Sequence, residues 1–171
     1  RAVPGGVGNA KTGGNYAACT LAEKEAKEMG YTQVLWLDAV ERSFIEEVGA
    51  MNIFFVVNGK IITPKLTGSI LPGITRMSVL ELGNFWGLEV EERRISINEI
   101  LTGIENGSVS EVFGSGTAAV ITPVGILSYK GKEFTIGDGN TGAIAMRFFM
   151  QLTGIQYGKE VDSFEWLELI S

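Results

Sequence analysis

Apolar and polar positions fall in short blocks along the chain, and the period of each block predicts its element. From Ala17 through Leu21 and Ala22 to Met29 the apolar residues recur at helical spacing. Asn15 stands where an N-cap belongs, and Gly30 where the helix should stop. Glu23, Lys24, Lys27 and Glu28 form the solvated face. Gln33-Val34-Leu35-Trp36-Leu37-Asp38 reads as a largely buried strand. Asn52-Ile53-Phe54-Phe55-Val56-Val57 and Lys60-Ile61-Ile62-Thr63 flank Asn58-Gly59, a pair that accepts the positive φ angles of a two-residue turn, so a hairpin is expected. After a loop from Lys65 to Gly73, the pattern predicts a helix from Ile74 to about Trp86 and a strand from Leu88 to Ile95. Ser96-Ile97-Asn98-Glu99 has the form of a capping box and opens a helix ending near Gly107.

Glu111-Val112-Phe113 is a short strand that leads into the loop Gly114-Ser115-Gly116-Thr117. Ala118 to Val124, a hairpin around Lys130-Gly131 and a helix from about Thr141 to Leu152 follow. A short tail helix carrying Trp166 is expected between Lys159 and Ser171. Helices and strands interleave, but hairpins are too frequent for a purely parallel doubly wound sheet. The expected fold class is α+β, or mixed α/β, in one domain over residues 1–171 without repeats or linkers.

Composition narrows the function. The 171 residues are 45% hydrophobic and 20% charged, as in ordinary globular proteins. Apolar runs such as Ile53 to Val57 are strand-sized, far below the roughly 18 residues of a membrane span, so no membrane partner is expected. A net charge of −6 without any basic cluster argues against a nucleic-acid partner. The single cysteine, Cys19, excludes an internal disulfide, fits a reducing cytoplasm and is expected to be buried packing. Arg1 is followed by proline and glycines rather than an apolar run, so no signal peptide is seen. A chain that opens on Arg1 is expected to be a processed or truncated piece. There is no histidine, which removes Ser-His-Asp and Cys-His catalysis and the commonest zinc ligand; no metal is expected. Chemistry is left to lysine, tyrosine, carboxylates or a cofactor.

Lys11 stands between two glycine clusters, in Gly5-Gly6-Val7-Gly8-Asn9-Ala10-Lys11-Thr12-Gly13-Gly14. This nearly spells a nucleotide phosphate loop, but Ala10 replaces the last glycine, and no buried strand precedes it or helix directly follows. Two further loops, Leu71-Pro72-Gly73-Ile74-Thr75 and Gly114-Ser115-Gly116-Thr117-Ala118, offer backbone N–H groups suited to anions. Two anion sites, a lysine and no histidine together suit pyridoxal 5′-phosphate. That cofactor needs a lysine, a phosphate cradle and an acidic partner for its ring nitrogen. Glu46 or Glu47, beside a hydrophobic stretch, could be that partner.

Five blocks in this order and spacing, GGVGNAKTGGNYAA, VLWLD, EEVGAMNIFFV, LPGITR and EVFGSGTAAVITPV, resemble the class IV, fold-type IV aminotransferases, most closely the branched-chain amino acid type, from about Gly5 to Tyr157. The resemblance implies a hairpin-rich, barrel-like sheet flanked by helices: the C-terminal, cofactor-binding domain of a two-domain enzyme whose N-terminal domain nothing here matches. It places Lys11 as the lysine that binds the cofactor covalently and moves the substrate proton. Tyr16 faces the phenolic oxygen, and Glu47 is the partner of the pyridine nitrogen. Gly73, Ile74, Thr75 and Thr117 hold the phosphate, while Thr117 and Ala118 receive the substrate carboxylate. The implied reaction is pyridoxal-phosphate-dependent transamination of leucine, isoleucine or valine with 2-oxoglutarate, giving glutamate, in a cytoplasmic homodimer or higher oligomer. The alternatives are a catalytically silent domain fragment and another class IV enzyme, a D-amino acid aminotransferase or aminodeoxychorismate lyase. Arg1 and Arg76 do not match the family's phosphate-binding arginine. Ala119 and Thr122 stand where mammalian relatives carry a redox-active cysteine pair, so no thiol switch is expected.

Overall fold

Strand β3 (Met51–Val57) is the hub of the main sheet, because its side chains are buried on both faces. The computed structural model describes residues 1–168 and 170. Along one edge of β3 runs β6 (Val109–Gly116), in antiparallel register from Asn52↔Ser115 to Val57↔Val109. The other edge is shared by β2 (Ile45–Val48) at the start of β3 and β4 (Lys60–Pro64) at its end. Outside these lie β1 (Leu35–Leu37) on β2, β5 (Val90–Arg93) parallel to β4, and β7 (Val120–Pro123) on β6. A separate ribbon pairs β8 (Ile126–Tyr129) with β9 (Lys132–Thr135). The helices are α1 (Gly13–Ala17), α2 (Thr20–Glu28), α3 (Ile74–Phe85), α4 (Ile97–Glu105) and α5 (Ala143–Gln156). The fold is thus mixed α/β and rich in hairpins. Among the described residues the seven-stranded sheet is branched at β3, and no strand pairing closes it into a complete barrel.

The alternation of β3 divides the core into two layers. Phe54 and Val56 join Ile61, Val79, Leu82, Phe113, Phe148 and Leu152 under α3 and α5, with Phe54 stacked on Phe113 at 5.2 Å. Ile53 and Phe55 join Ile45, Ile62, Ile95, Ile97, Ile100 and Val112 on the opposite face. Each such side chain contributes about 1.5–3 kcal/mol by leaving water. Helix α5 has no cap of its own at Gly142. The Glu111 carboxylate of β6 instead accepts from the N–H groups of Ile144 (3.0 Å) and Ala145 (2.8 Å).

The Asn58-Gly59 hairpin forms as expected, both residues having positive φ (49° and 80°), and α3, α4 and the Lys130-Gly131 hairpin lie where the spacing puts them. Cys19 is buried, its thiol donating to the Asn15 carbonyl. Elsewhere the structure corrects the reading. Asn15 is not an N-cap: it lies inside α1, and a break at Ala18-Cys19 separates α1 from α2. The Ser96 hydroxyl does cap α4, accepting from Asn98 N–H (3.2 Å), but Glu99 pairs with Arg93 instead of closing the capping box. Strand β2 was not anticipated, because Glu46 and Glu47 disguise four buried positions as polar. Gly114-Ser115-Gly116 belongs to β6 rather than to a loop. Residues 159–168 form no helix; Phe164 and Trp166 stack at 4.5 Å and pack on the α3/α5 layer. The end of that expected tail helix, Leu169 and Ser171, lies outside the described residues.

Candidate active site

Three polar side chains stand in a row across adjacent strands on the face of the sheet that carries Phe54. Glu47 of β2 is opposite Asn52 of β3, and Asn52 is opposite Ser115 of β6. Their exposures are 3%, 5% and 1%. With strands about 4.8 Å apart, the row spans about 10 Å. Buried polar groups destabilise a fold unless they are paired, so each member raises the question of its partner.

Asn52 donates from Nδ2 to the Leu71 carbonyl (2.8 Å). A Cβ on Gly73 would lie 2.4 Å from Asn52 Oδ1, so only glycine allows this approach. The contact brings the start of α3 to the row. Gly73 provides no side-chain cap there, which leaves the first-turn N–H groups of Ile74 and Thr75 without intrahelical acceptors.

Glu47 forms a buried ion pair with the Arg1 guanidinium. Burial nevertheless pushes its carboxyl up to about 7, with neighbouring Glu46 adding to the rise and Arg1 and Leu71 opposing it. The same guanidinium lies 5.9 Å from the Tyr16 ring centroid, so Arg1 bridges Glu47 and Tyr16. Glu46 is committed elsewhere: its carboxylate accepts from the Ser69 hydroxyl, which lies 3.0 Å from Thr67 Oγ1.

The Lys11 loop is clamped beside these groups. Asn15 donates to the carbonyls of Val7 (2.7 Å) and Ala10 (2.9 Å). A Cβ on Gly8 would lie only 2.3 Å from the Ser69 carbonyl oxygen. Lys11 itself is exposed and has no ion-pair partner among the described residues. Thr117 and Ala118 are exposed in the turn between β6 and β7, directly after the strand that carries Ser115.

The structure therefore groups Glu47, Tyr16 and the Gly73-Ile74-Thr75 turn around one buried row, with Lys11 and Thr117-Ala118 on exposed loops. Arg1, Asn52 and Ser115 were not anticipated as members. Asn52 and Ser115 carried a signal, a lone polar residue within a buried strand; Arg1 carried none. A cavity of about 770 Å³ opens on the opposite face of the sheet among Val34, Val48, Met51 and Val112. No helix among the described residues is long and apolar enough to cross a membrane.

The family model for amino-transferase class IV matches residues 2–127. A probable branched-chain-amino-acid aminotransferase from Staphylococcus aureus (strain N315) is 58% identical over 166 residues, covering 97% of this chain and 46% of its own length. The chain spans about half the length of the curated relatives it matches. Among solved structures, the Escherichia coli branched-chain amino acid aminotransferase superposes with a TM-score of 0.84 at 37% identity, over 99% of this chain and 52% of that one. The T.th. branched-chain amino acid aminotransferase, complexed with N-(5′-phosphopyridoxyl)-L-glutamate, superposes with a TM-score of 0.77 at 33% identity, over 90% of this chain and 48% of that one.

Proposed function

The chain belongs to the class IV amino-transferase family, and from that premise we propose that it is the cofactor-holding domain of a branched-chain-amino-acid aminotransferase. The reaction is exchange of the amino group of leucine, isoleucine or valine with 2-oxoglutarate, using pyridoxal 5′-phosphate. The observation that carries this reading is Glu47, a carboxylate buried to 3% exposure that requires a cation.

The donor set fits the cofactor. A protonated pyridine nitrogen answers the charge of Glu47, and the uncapped N–H groups of Ile74 and Thr75 suit a phosphate. When bound, the cofactor supplies an electron sink for the bond broken at the substrate Cα. The protein does the rest. Glu47 holds the ring nitrogen in its charged form, as burial makes an unpaired carboxylate unfavourable there. Tyr16 presents its hydroxyl to the phenolic oxygen. Gly73 admits the close backbone approach at the phosphate, and Thr75 and Thr117 add hydroxyl donors. The Thr117-Ala118 turn orients the substrate carboxylate, and the exposed Lys11 amine binds the cofactor and moves the Cα proton. The half-length match supports a second domain for the remaining pocket wall, in an enzyme working as a cytoplasmic homodimer or larger assembly.

An absorbance spectrum with added pyridoxal 5′-phosphate, then borohydride reduction and peptide mapping, tests the assignment. A visible-range band and a pyridoxyl adduct on Lys11 are expected, and adducts scattered over other lysines would refute it. Turnover of D-alanine without L-leucine would refute the branched-chain substrate class.

A further inference from the structure

Ser115 is the one member of the buried row whose polar atom has no partner. Its Oγ makes no hydrogen bond among the described residues, although the residue is 1% exposed. Other hydroxyls in the same sheet do find main-chain acceptors: Thr63 Oγ1 donates to the Ile53 carbonyl (2.7 Å) and Ser110 Oγ to that of Val56 (3.4 Å). An orphaned buried hydroxyl destabilises the protein that carries it. Alanine would fit the same space without that penalty.

Position in the row suggests the missing partner. Glu47 and Ser115 are its two ends, about 10 Å apart, with Asn52 and the start of α3 between them. Ser115 precedes the exposed Thr117 by two residues. A ligand that places a cationic ring nitrogen at Glu47 extends its anionic group toward the other end, between the first turn of α3 and the Thr117 turn. We propose that the Ser115 hydroxyl is a phosphate ligand of the bound cofactor, donating to a phosphate oxygen from beneath the Gly116-Thr117 segment. This rests on the reading of the site as a pyridoxal 5′-phosphate site. The flanking Gly114 and Gly116 carry no side chains to compete with it; their Cβ positions would meet Met51 on the opposite face.

Titration of the protein at its natural length, parent against Ser115→Ala, tests the assignment with two probes, pyridoxal 5′-phosphate and the phosphate-free pyridoxal. Thermal unfolding without either probe runs in parallel. Ser115→Ala is expected to weaken pyridoxal 5′-phosphate roughly 10- to 100-fold. It should leave pyridoxal within about twofold and keep or raise the ligand-free Tm. Equal weakening of both probes would place the hydroxyl at the ring and overturn the proposal. Unchanged affinity for pyridoxal 5′-phosphate would overturn it too, and a lower ligand-free Tm would mark Ser115 as structural. If the parent bound neither probe, the reading of the site would fall and this proposal with it. Binding by the parent with no effect of the substitution would sink the proposal alone.

Discussion

The buried Glu47 carboxyl should give the ligand-free chain an unusual dependence of stability on pH. Its folded-state pKa is about 7, raised by burial from 4.5. Below 4.5 both folded and unfolded chains carry the proton, so Glu47 adds no pH dependence. Between 4.5 and 7 the folded chain binds a proton that the unfolded chain has released, so stability falls as pH rises. Above 7 the full effect is present. At about 1.4 kcal/mol per pH unit of separation, the loss across this window is about 3 kcal/mol. Within this window there is no histidine to titrate, and burial moves the Cys19 thiol upward, away from it. At Asp38 the effect of burial is outweighed by the N–H groups of Phe44, Glu41 and Ser43, which hold its carboxyl down to about 2, well below the window. Urea unfolding followed by circular dichroism at half-unit steps from about pH 5 to 8, on the parent and on Glu47→Gln, isolates the effect. The substitution keeps the size of the side chain and removes the group that titrates. The slope is the readout: the parent should lose about 3 kcal/mol and the variant should be nearly flat. A parent curve that rises from about pH 5 to 7, or an equal fall in the variant, would refute the assignment.

Lys11→Ala should abolish the borohydride-trapped adduct and turnover while shifting stability by less than about 0.5 kcal/mol, since Lys11 is exposed and unpaired among the described residues; peptide mapping and urea unfolding check the two halves. Gly8→Ala forces a Cβ toward the Ser69 carbonyl and should destabilise the chain by about 1–3 kcal/mol. Because that contact seats the Lys11 loop, a spectroscopic titration should also show weaker pyridoxal 5′-phosphate binding. Glu111→Ala removes the anion that caps α5 and should lower stability by about 1–2 kcal/mol, seen as a Tm lower by several degrees with cofactor affinity retained.

Elements whose apolar spacing agreed with their burial could be read from the chain alone. The Asn58-Gly59 hairpin is one, since turn chemistry and flanking strands point the same way. Helices α3 and α4 are others, each opened by the residue just before the apolar repeat. Reading failed where a polar side chain had a tertiary duty. Asn15 looks like a cap because its amide can hydrogen-bond backbone, and it does, but to the carbonyls of Val7 and Ala10 in the preceding loop. Glu99 looks like half of a capping box, yet Arg93 at the end of β5 offers a charged partner. Trp166 looks helical by composition, but stacking on Phe164 accounts for its burial without a helix.

The site divides along the same line. A lysine among glycines, in a chain without histidine, was enough to direct attention to a cofactor, because residue types alone limit the chemistry. Choosing between Glu46 and Glu47 from the residues alone was not possible, since two adjacent glutamates read alike and only the pairing register, which leaves Glu46 unpaired at an irregularity in β2, separates them. Register puts Glu47 beside Asn52, and Asn52 beside Ser115, while Glu46 turns to Ser69. A carboxylate, an amide and a hydroxyl buried side by side would weaken a purely structural sheet, and apolar residues at those three places would pack it better. Their presence on the face between the Lys11 loop and the start of α3 is what a binding site requires and a core does not. The two ends of the row therefore differ in a way that can be tested. Glu47 has found a cation within the chain in Arg1, whereas Ser115 has found nothing among the described residues. A ligand that satisfies the row must then displace or share a guanidinium at one end and meet a ready donor at the other. Binding should accordingly tighten when Arg1 is replaced by a neutral residue, provided the fold survives the loss of the pair, and weaken when Ser115 is.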